Sequence, residues 1–237
     1  IMTTPAQINN VEKQIFTSNL NNLERCDIIY ISIDVPTNDS AQSDLSLIYN
    51  QIEKVVQYLN PSALLIILCQ VPPGFTRSIN IVPQQRLYYQ VETLVFGNAI
   101  NRAAKPERYI IGCASPLMPI DPRFKTLLSA FPCPILPMSY ESAELAKIAI
   151  NCYLVASIGV VNTLSELSEE IGADWSEIAP ALKLDQRIGS KAYLSPGLGI
   201  AGGNLERDLQ TVIELSKRFN TDSGIIFALL ANSRHRK

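Results

Sequence analysis

Asp27-Ile28-Ile29-Tyr30-Ile31-Ser32-Ile33-Asp34-Val35 is the stretch whose reading decides the fold. A nearly continuous, β-branched apolar run is how a strand covered on both faces reads, as in a parallel sheet. It ends in Pro36-Thr37-Asn38-Asp39, a polar loop at the carboxyl end of the strand, where ligands collect in open α/β sheets. Asp44 then stands where it can cap a helix whose apolar residues, Leu45, Ile48, Ile52, Val55, Val56 and Leu59, recur at helical spacing. Pro61 stops that helix, and Ala63 to Gln70 (ALLIILCQ) is a second buried strand running into Val71-Pro72-Pro73-Gly74. Strand, helix and strand at this crossover length predict a parallel pair.

Working outward, Arg86 to Gln90 is a third strand, leading to Glu92 and a short helix through Ala99. Pro106 to Cys113 reads as turn then strand, Pro122 to Ala130 as helix, and Cys133 to Met138 as a last strand. Upstream, residues 1–25 are polar and hold a short helix at most. The character changes at Tyr140, so the expected domains are 1–139 and 140–237. From Ser142 to Ile171 there is no proline and a single glycine, Gly159. Ile148, Val155, Ile158, Val161 and their neighbours form a broad apolar face, predicting one helix of roughly thirty residues, a length commoner in bundles and subunit interfaces. Lys147 and Asn151 fall one turn apart on it, and a lysine and an asparagine on an otherwise apolar face suggest a polar pocket.

After Gly172, Asp174 caps a short helix with Pro180 near its end, and Asp185-Gln186-Arg187-Ile188-Gly189 leads to a glycine loop, Pro196 to Leu209. Gly197, Gly199, Gly202 and Gly203 let its backbone pack against a flat ligand or another backbone. Leu209, Val212 and Ile213 begin a helical pattern, with Asn204 or Asp208 as its cap. A helix N-terminus there suits an anionic ligand or a developing oxyanion. Asp222 or Ser223 opens a final helix expected to stop by Asn232.

Composition narrows the function classes. Of 237 residues 47% are apolar and the net charge is -2, which describes a folded, mildly acidic protein of one large or two ordinary domains. Without a basic excess, a nucleic-acid surface is not expected. No consecutive apolar run reaches spanning length, the richest being Ser62 to Val71, so no membrane partner is expected either. No signal peptide is visible. Cys26, Cys69, Cys113, Cys133 and Cys152 are scattered and lack metal-type pairing, which points to small buried thiols in a reducing cytoplasm and to no metal. The one histidine, His235, lies in a basic tail and is expected to be solvated.

The order of motifs from about Cys26 to Asn232 resembles the UDP-glucose/GDP-mannose dehydrogenases. CDIIYISIDVPT resembles the family's buried strand ending in a proline-threonine loop, and QVPPGFT the next strand end. Tyr89-Gln90-Val91-Glu92 matches a Tyr-Asn-Pro-Glu segment at Tyr89 and Glu92, and PERYIIG a Pro-x-Arg-hydrophobic-Gly strand. AELAKIAIN matches a Glu-x-x-Lys-x-x-x-Asn helix fully, at Glu144, Lys147 and Asn151. DQRIG matches at Arg187, and the glycine loop follows Gly-Phe-Gly-Gly-x-Cys-x-x-Lys-Asp in length.

The resemblance implies a partial Rossmann-like parallel sheet followed by an all-α central dimerisation domain with one long helix. It also implies NAD-linked oxidation of the C6 hydroxyl of a nucleotide sugar, such as a UDP-sugar, through two hydride transfers. Lys147, Asn151 and Asp208 would hold an oxygen near C6, and Glu92 would assist hydrolysis of the acyl intermediate. Pro36, Thr37, Gln70 and Arg207 would lie at the cofactor. Arg187, Gly199 and Gly202 would lie at the substrate, Arg187 reaching across a homodimer formed through helix 142–171. Departures accompany these matches. Aligned without gaps from Gly199 to Asp208, the chain has Asn204 where the family's nucleophilic cysteine belongs, and an amide cannot form a thiohemiacetal or thioester. Arg207 replaces the lysine beside Asp208, and Gln70 a cofactor-contacting threonine. No G-x-G-x-x-G strand-turn-helix occurs, the first glycine being Gly74, and the family's nucleotide-binding C-terminal domain is absent, so the expectation is the middle of a longer protein.

Overall fold

The computed structural model describes residues 15–36, 43–95, 97–200 and 203–236. They fall into two compact units: the first takes the chain to Pro36 and from Asp44 to Lys147, and the second runs on from Ile148.

The first unit is a five-stranded sheet with its strands in chain order: β1 (Ile28–Ile31), β2 (Leu64–Ile67), β3 (Leu87–Gln90), β4 (Tyr109–Cys113) and β5 (Ile135–Ser139). Each is one of the expected strands; all begin later than expected, β1 and β2 also stop earlier, and β5 runs one residue further, to Ser139. β1, β2 and β3 are mutually parallel, with Ile28 opposite Leu64 and Leu65 opposite Leu87. β4 and β5 are also parallel, but β3 meets β4 antiparallel through Tyr89 and Gly112, so the sheet is mixed. The cause lies in the connections. α1 (Ser46–Val56) buries Ile48, Ile52 and Val55 at helical spacing, and the helix α4 (Pro122–Leu128) buries Phe124 and Leu128, so both serve as crossovers packed on the sheet. Between β3 and β4 stands only α3 (Ala99–Ala104), which buries nothing and cannot carry the chain over a face. The helix expected from Glu92 to Ala99 is thus displaced: 91–95 has no regular structure and α3 begins at Ala99. β2 is buried at all four residues, as its unbroken apolar run requires. Leu64, Ile66, Tyr88, Ile111, Cys113, Phe124 and Leu128 form one core cluster, with Tyr88 and Phe124 rings 5.1 Å apart. A four-residue helix, α2 (Phe75–Ser78), follows Gly74.

α5 (Tyr140–Ile171) opens two residues earlier than expected and carries the chain from the first unit into the second. Its best window has a mean hydropathy of 1.6 and is 33% buried, so by length and composition it is apolar enough to cross a membrane. A search for consecutive apolar residues misses this, because small and polar residues are interleaved along it.

The second unit adds α6 (Trp175–Leu184), α7 (Gly203–Phe219) and α8 (Gly224–Arg236). Asp174 caps α6 through Ser176 N, as expected, and Pro180 lies inside the helix, four residues before its end. Val155, Ile200, Leu209, Ile213 and Ile226 form its core. At Gly159 α5 comes close to α8, where an added Cβ would lie 2.7 Å from Leu229 Cδ2 and would push that side chain aside. α8 continues to Arg236, and His235 is paired: its Nε2 lies 2.9 Å from Glu166 Oε1, although the ring stays 65% exposed.

Candidate active site

Within the first unit, the site is organised by the start of α5. Tyr140 is fully buried and its hydroxyl donates to the carbonyls of Gln84 (3.0 Å) and Leu87 (2.7 Å). Arg77 grips Glu141 with Nε at 2.8 Å and Nη2 at 3.1 Å, and its guanidinium lies 4.8 Å from the centre of the Tyr140 ring. Glu144, also fully buried, accepts the Gly74 N–H at 2.6 Å and the Thr76 N–H at 2.8 Å. The left-handed backbone of Gly74 (φ +94°) goes with that turn. Burial pushes the Glu144 carboxyl up to about 6, against the bonds from Thr76 and Gly74 that favour its ionised form.

Lys147 follows on the same helix, and its Nζ donates to the Glu92 main-chain carbonyl at 2.9 Å. The Glu92 carboxylate instead accepts the Leu94 N–H, closing a local turn. Pro36 is exposed after β1 and Gln70 half-buried after β2. Thr37 and Gly202 lie outside the described residues.

In the second unit, Asn151 Nδ2 donates to Asp208 Oδ2 at 2.6 Å, joining α5 to α7. Asp208 is 2% exposed. α7 begins at Gly203, so Asn204 and Asp208 are helical residues a turn apart and not its caps. Asn204 is exposed and its Oδ1 accepts the Arg207 Nη2–H at 3.0 Å, while Arg207 itself is 4% exposed. Burial first, and the Asp208 charge second, push the neighbouring Cys152 thiol up to about 11, so this cysteine is a thiol and a poor nucleophile at neutral pH. Arg187 is exposed at 89% and paired with Asp185 at 2.6 Å.

Chemically, the Asn151–Asp208 pair of the second unit offers an amide donor beside a buried carboxylate that can accept a proton, and Lys147 of the first unit offers an ammonium. Sequence reasoning passed over Glu144 as a clamp, although it stood in a quoted motif. It also missed Asn162, fully buried on α5, whose Oδ1 accepts the Gly197 N–H at 2.8 Å. Asn162 lies eleven residues, three turns, after Asn151, and that spacing was the available signal.

The carboxyl ends of β1, β2 and β3 share one sheet edge, so Pro36, Gln70 and Glu92 follow strands that end together. That edge fits the flat part of a dinucleotide. Among the described residues no glycine turn follows β1, and the amides of Gly74 and Thr76 are taken by Glu144, so a pyrophosphate cradle is not among them.

Residues 5–119 match the NAD binding domain of the UDP-glucose/GDP-mannose dehydrogenase family, and residues 141–233 match its central domain. The chain is 28% identical over 238 residues to a UDP-glucose 6-dehydrogenase of Rickettsia bellii, covering 95% of this chain and 53% of the relative. It is 27% identical over 219 residues to a UDP-glucose 6-dehydrogenase of Bacillus subtilis, covering 89% and 47%. Its fold resembles a UDP-glucose dehydrogenase from Pyrobaculum islandicum, with a TM-score of 0.82 at 23% identity over 97% of this chain and 55% of that one. It also resembles a GDP-mannose dehydrogenase from Pseudomonas aeruginosa, with a TM-score of 0.65 at 17% identity over 93% and 54%. The chain spans about half the length of the curated relatives it matches.

Proposed function

The chain belongs to the UDP-glucose/GDP-mannose dehydrogenase family, and on that footing we propose that the protein oxidises the C6 hydroxyl of a nucleotide sugar with NAD. The observation that carries the reading is the 2.6 Å bond between Asn151 and Asp208, with Lys147 one turn earlier on α5. Lys147 and Asn151 donate to the C6 oxygen as it takes on charge, and Asp208, oriented by Asn151, accepts its proton. Glu92 orders water beside them. NAD supplies the hydride acceptor. Pro36, Thr37, Gln70 and Arg207 hold it, and Arg187, Gly199 and Gly202 hold the UDP-sugar. In the same proposal 1–139 is the back part of the NAD-binding domain and 140–237 the central domain, a homodimer forms through α5, and the protein works in the cytoplasm.

Asn204 limits the chemistry. With an amide at that position, and the Cys152 thiol held protonated, no thiolate is at hand to carry an acyl intermediate. The proposal is therefore one hydride transfer, leaving a sugar aldehyde, and not the second oxidation to the acid. Calorimetric titration of NAD and UDP-glucose into the full-length protein, with reduced nicotinamide followed by absorbance, tests this. One cofactor reduced per sugar supports the single transfer, and two per sugar with acid as product refutes it. Binding without reduction would support a second reading that Asn204 also favours, a dimerising scaffold that binds nucleotide sugar without turning it over.

A further inference from the structure

Gly199 has φ +89°, and the space where its side chain would begin is already filled. A Cβ there would lie 2.6 Å from the Ser233 carbonyl oxygen, 2.9 Å from its Oγ and 3.2 Å from its Cα. Backbone conformation and close approach both demand glycine at this position, and what approaches is the last part of α8. The next residue is tied to the same side chain, because the Ile200 N–H donates to Ser233 Oγ at 2.8 Å. Ser233 is 3% exposed and Ile200 2% exposed, so water does not compete for this bond. Ile200 also packs with Val155, Leu209 and Ile213, joining the loop to the faces of α5 and α7.

The turn of α8 that holds the loop is itself fastened to α5. Glu166 accepts from Arg236 Nη1 at 3.4 Å and lies 2.9 Å from His235 Nε2. On the same side, Asn162 Oδ1 takes the Gly197 N–H. Gly197 and Ile200 are thus bonded to side chains from outside the loop, and Gly199 is closely approached by Ser233. Asp208 sits in the second turn of α7.

We propose that Ser233 is a positioning residue: its hydroxyl and carbonyl fix Gly199 and Ile200, and through the packing of Ile200 on Leu209 they set where the adjacent Asp208 stands. This rests on the proposed function only where turnover is read. The test compares the full-length protein with Ser233→Ala and Ser233→Thr, by hydrogen exchange of the Ile200 amide without ligand, and by kcat and KM with UDP-glucose and NAD. In Ser233→Ala, Ile200 should exchange about tenfold faster, the scale of one lost hydrogen bond, while the Leu209 and Ile213 amides stay protected. Its kcat should fall with the KM for NAD unchanged, and Ser233→Thr, which keeps the oxygen, should restore both readings. Unchanged exchange at Ile200 in Ser233→Ala overturns the proposal, and so does faster exchange with an unaltered kcat. If the wild-type protein leaves UDP-glucose untouched, the functional reading is what fails, and the exchange comparison with its threonine rescue still decides whether Ser233 holds the loop.

Discussion

The first two turns of α5 and its distal stretch are one helix put to opposite uses. Between Tyr140 and Lys147 the polar groups are engaged: a hydroxyl on two carbonyls, two glutamates on a guanidinium and a pair of amides, an ammonium on a carbonyl. Farther along, Tyr153, Val160, Leu167 and Ile171 are 77%, 58%, 51% and 68% exposed. The more polar part is the more deeply buried. The distal stretch still buries Ile148, Val155 and Val161, but it leaves a row of large apolar side chains exposed that the first two turns lack.

The comparison can be broken most forcefully at Tyr140. Tyr140→Ala removes a fully buried ring and should cost roughly 3–5 kcal/mol in urea denaturation. Next comes the proton on Glu144. Its folded-state pKa of about 6 exceeds the ordinary 4.5, so between those values the folded chain holds a proton that the unfolded chain has lost. Stability should fall as pH rises through that window, by about 2 kcal/mol in all. Glu144→Gln should flatten the slope, and melts with the same slope would assign the proton elsewhere. A smaller effect is expected at Arg77, whose pair with Glu141 is some two-fifths exposed on both sides. Arg77→Met should cost about 0.5–1 kcal/mol, and less in high salt. Smallest of all, Val160→Glu on the distal stretch should change folding stability by no more than about 0.5 kcal/mol. Light scattering should nevertheless find it monomeric if α5 forms the proposed homodimer; an unchanged mass would remove α5 from that role.

The strands were legible because each is a short stretch with β-branched, aromatic or leucine residues set off by polar, proline or glycine neighbours, and β2, buried throughout, was the plainest. Strand direction was not legible between β3 and β4. Nothing in LYYQ or YIIGC states which way a neighbour runs; the deciding fact is that α3 lacks an apolar face, and the helix expected at 92–99, some residues too early, hid it. At the candidate site, Asn151 and Asp208 come together across 57 residues of chain. Lys147 meets Glu92 through a main-chain carbonyl, a contact no residue pattern announces. The beginning of α7 was misjudged because Asn204 and Asp208 are typical capping residues, whereas the helix has already started at Gly203. Ser233 could not be singled out at all, since its role depends on a loop 33 residues away.

The antiparallel joint of the sheet also sets the heading of α5. Because β4 and β5 run against β3, β5 delivers the chain to the rim where β3 begins, and there the Tyr140 hydroxyl finds the Leu87 carbonyl. The helix must then travel back alongside β3. Seven helical residues advance about 10 Å, five extended residues from Leu87 to Glu92 about 16 Å, and the four-carbon stem of Lys147 spans the difference to the Glu92 carbonyl. Were β4 parallel to β3, the same helix would start at the far rim and point away, and its lysine could not reach the carboxyl end of β3. One reversed strand pairing thereby aims the ammonium.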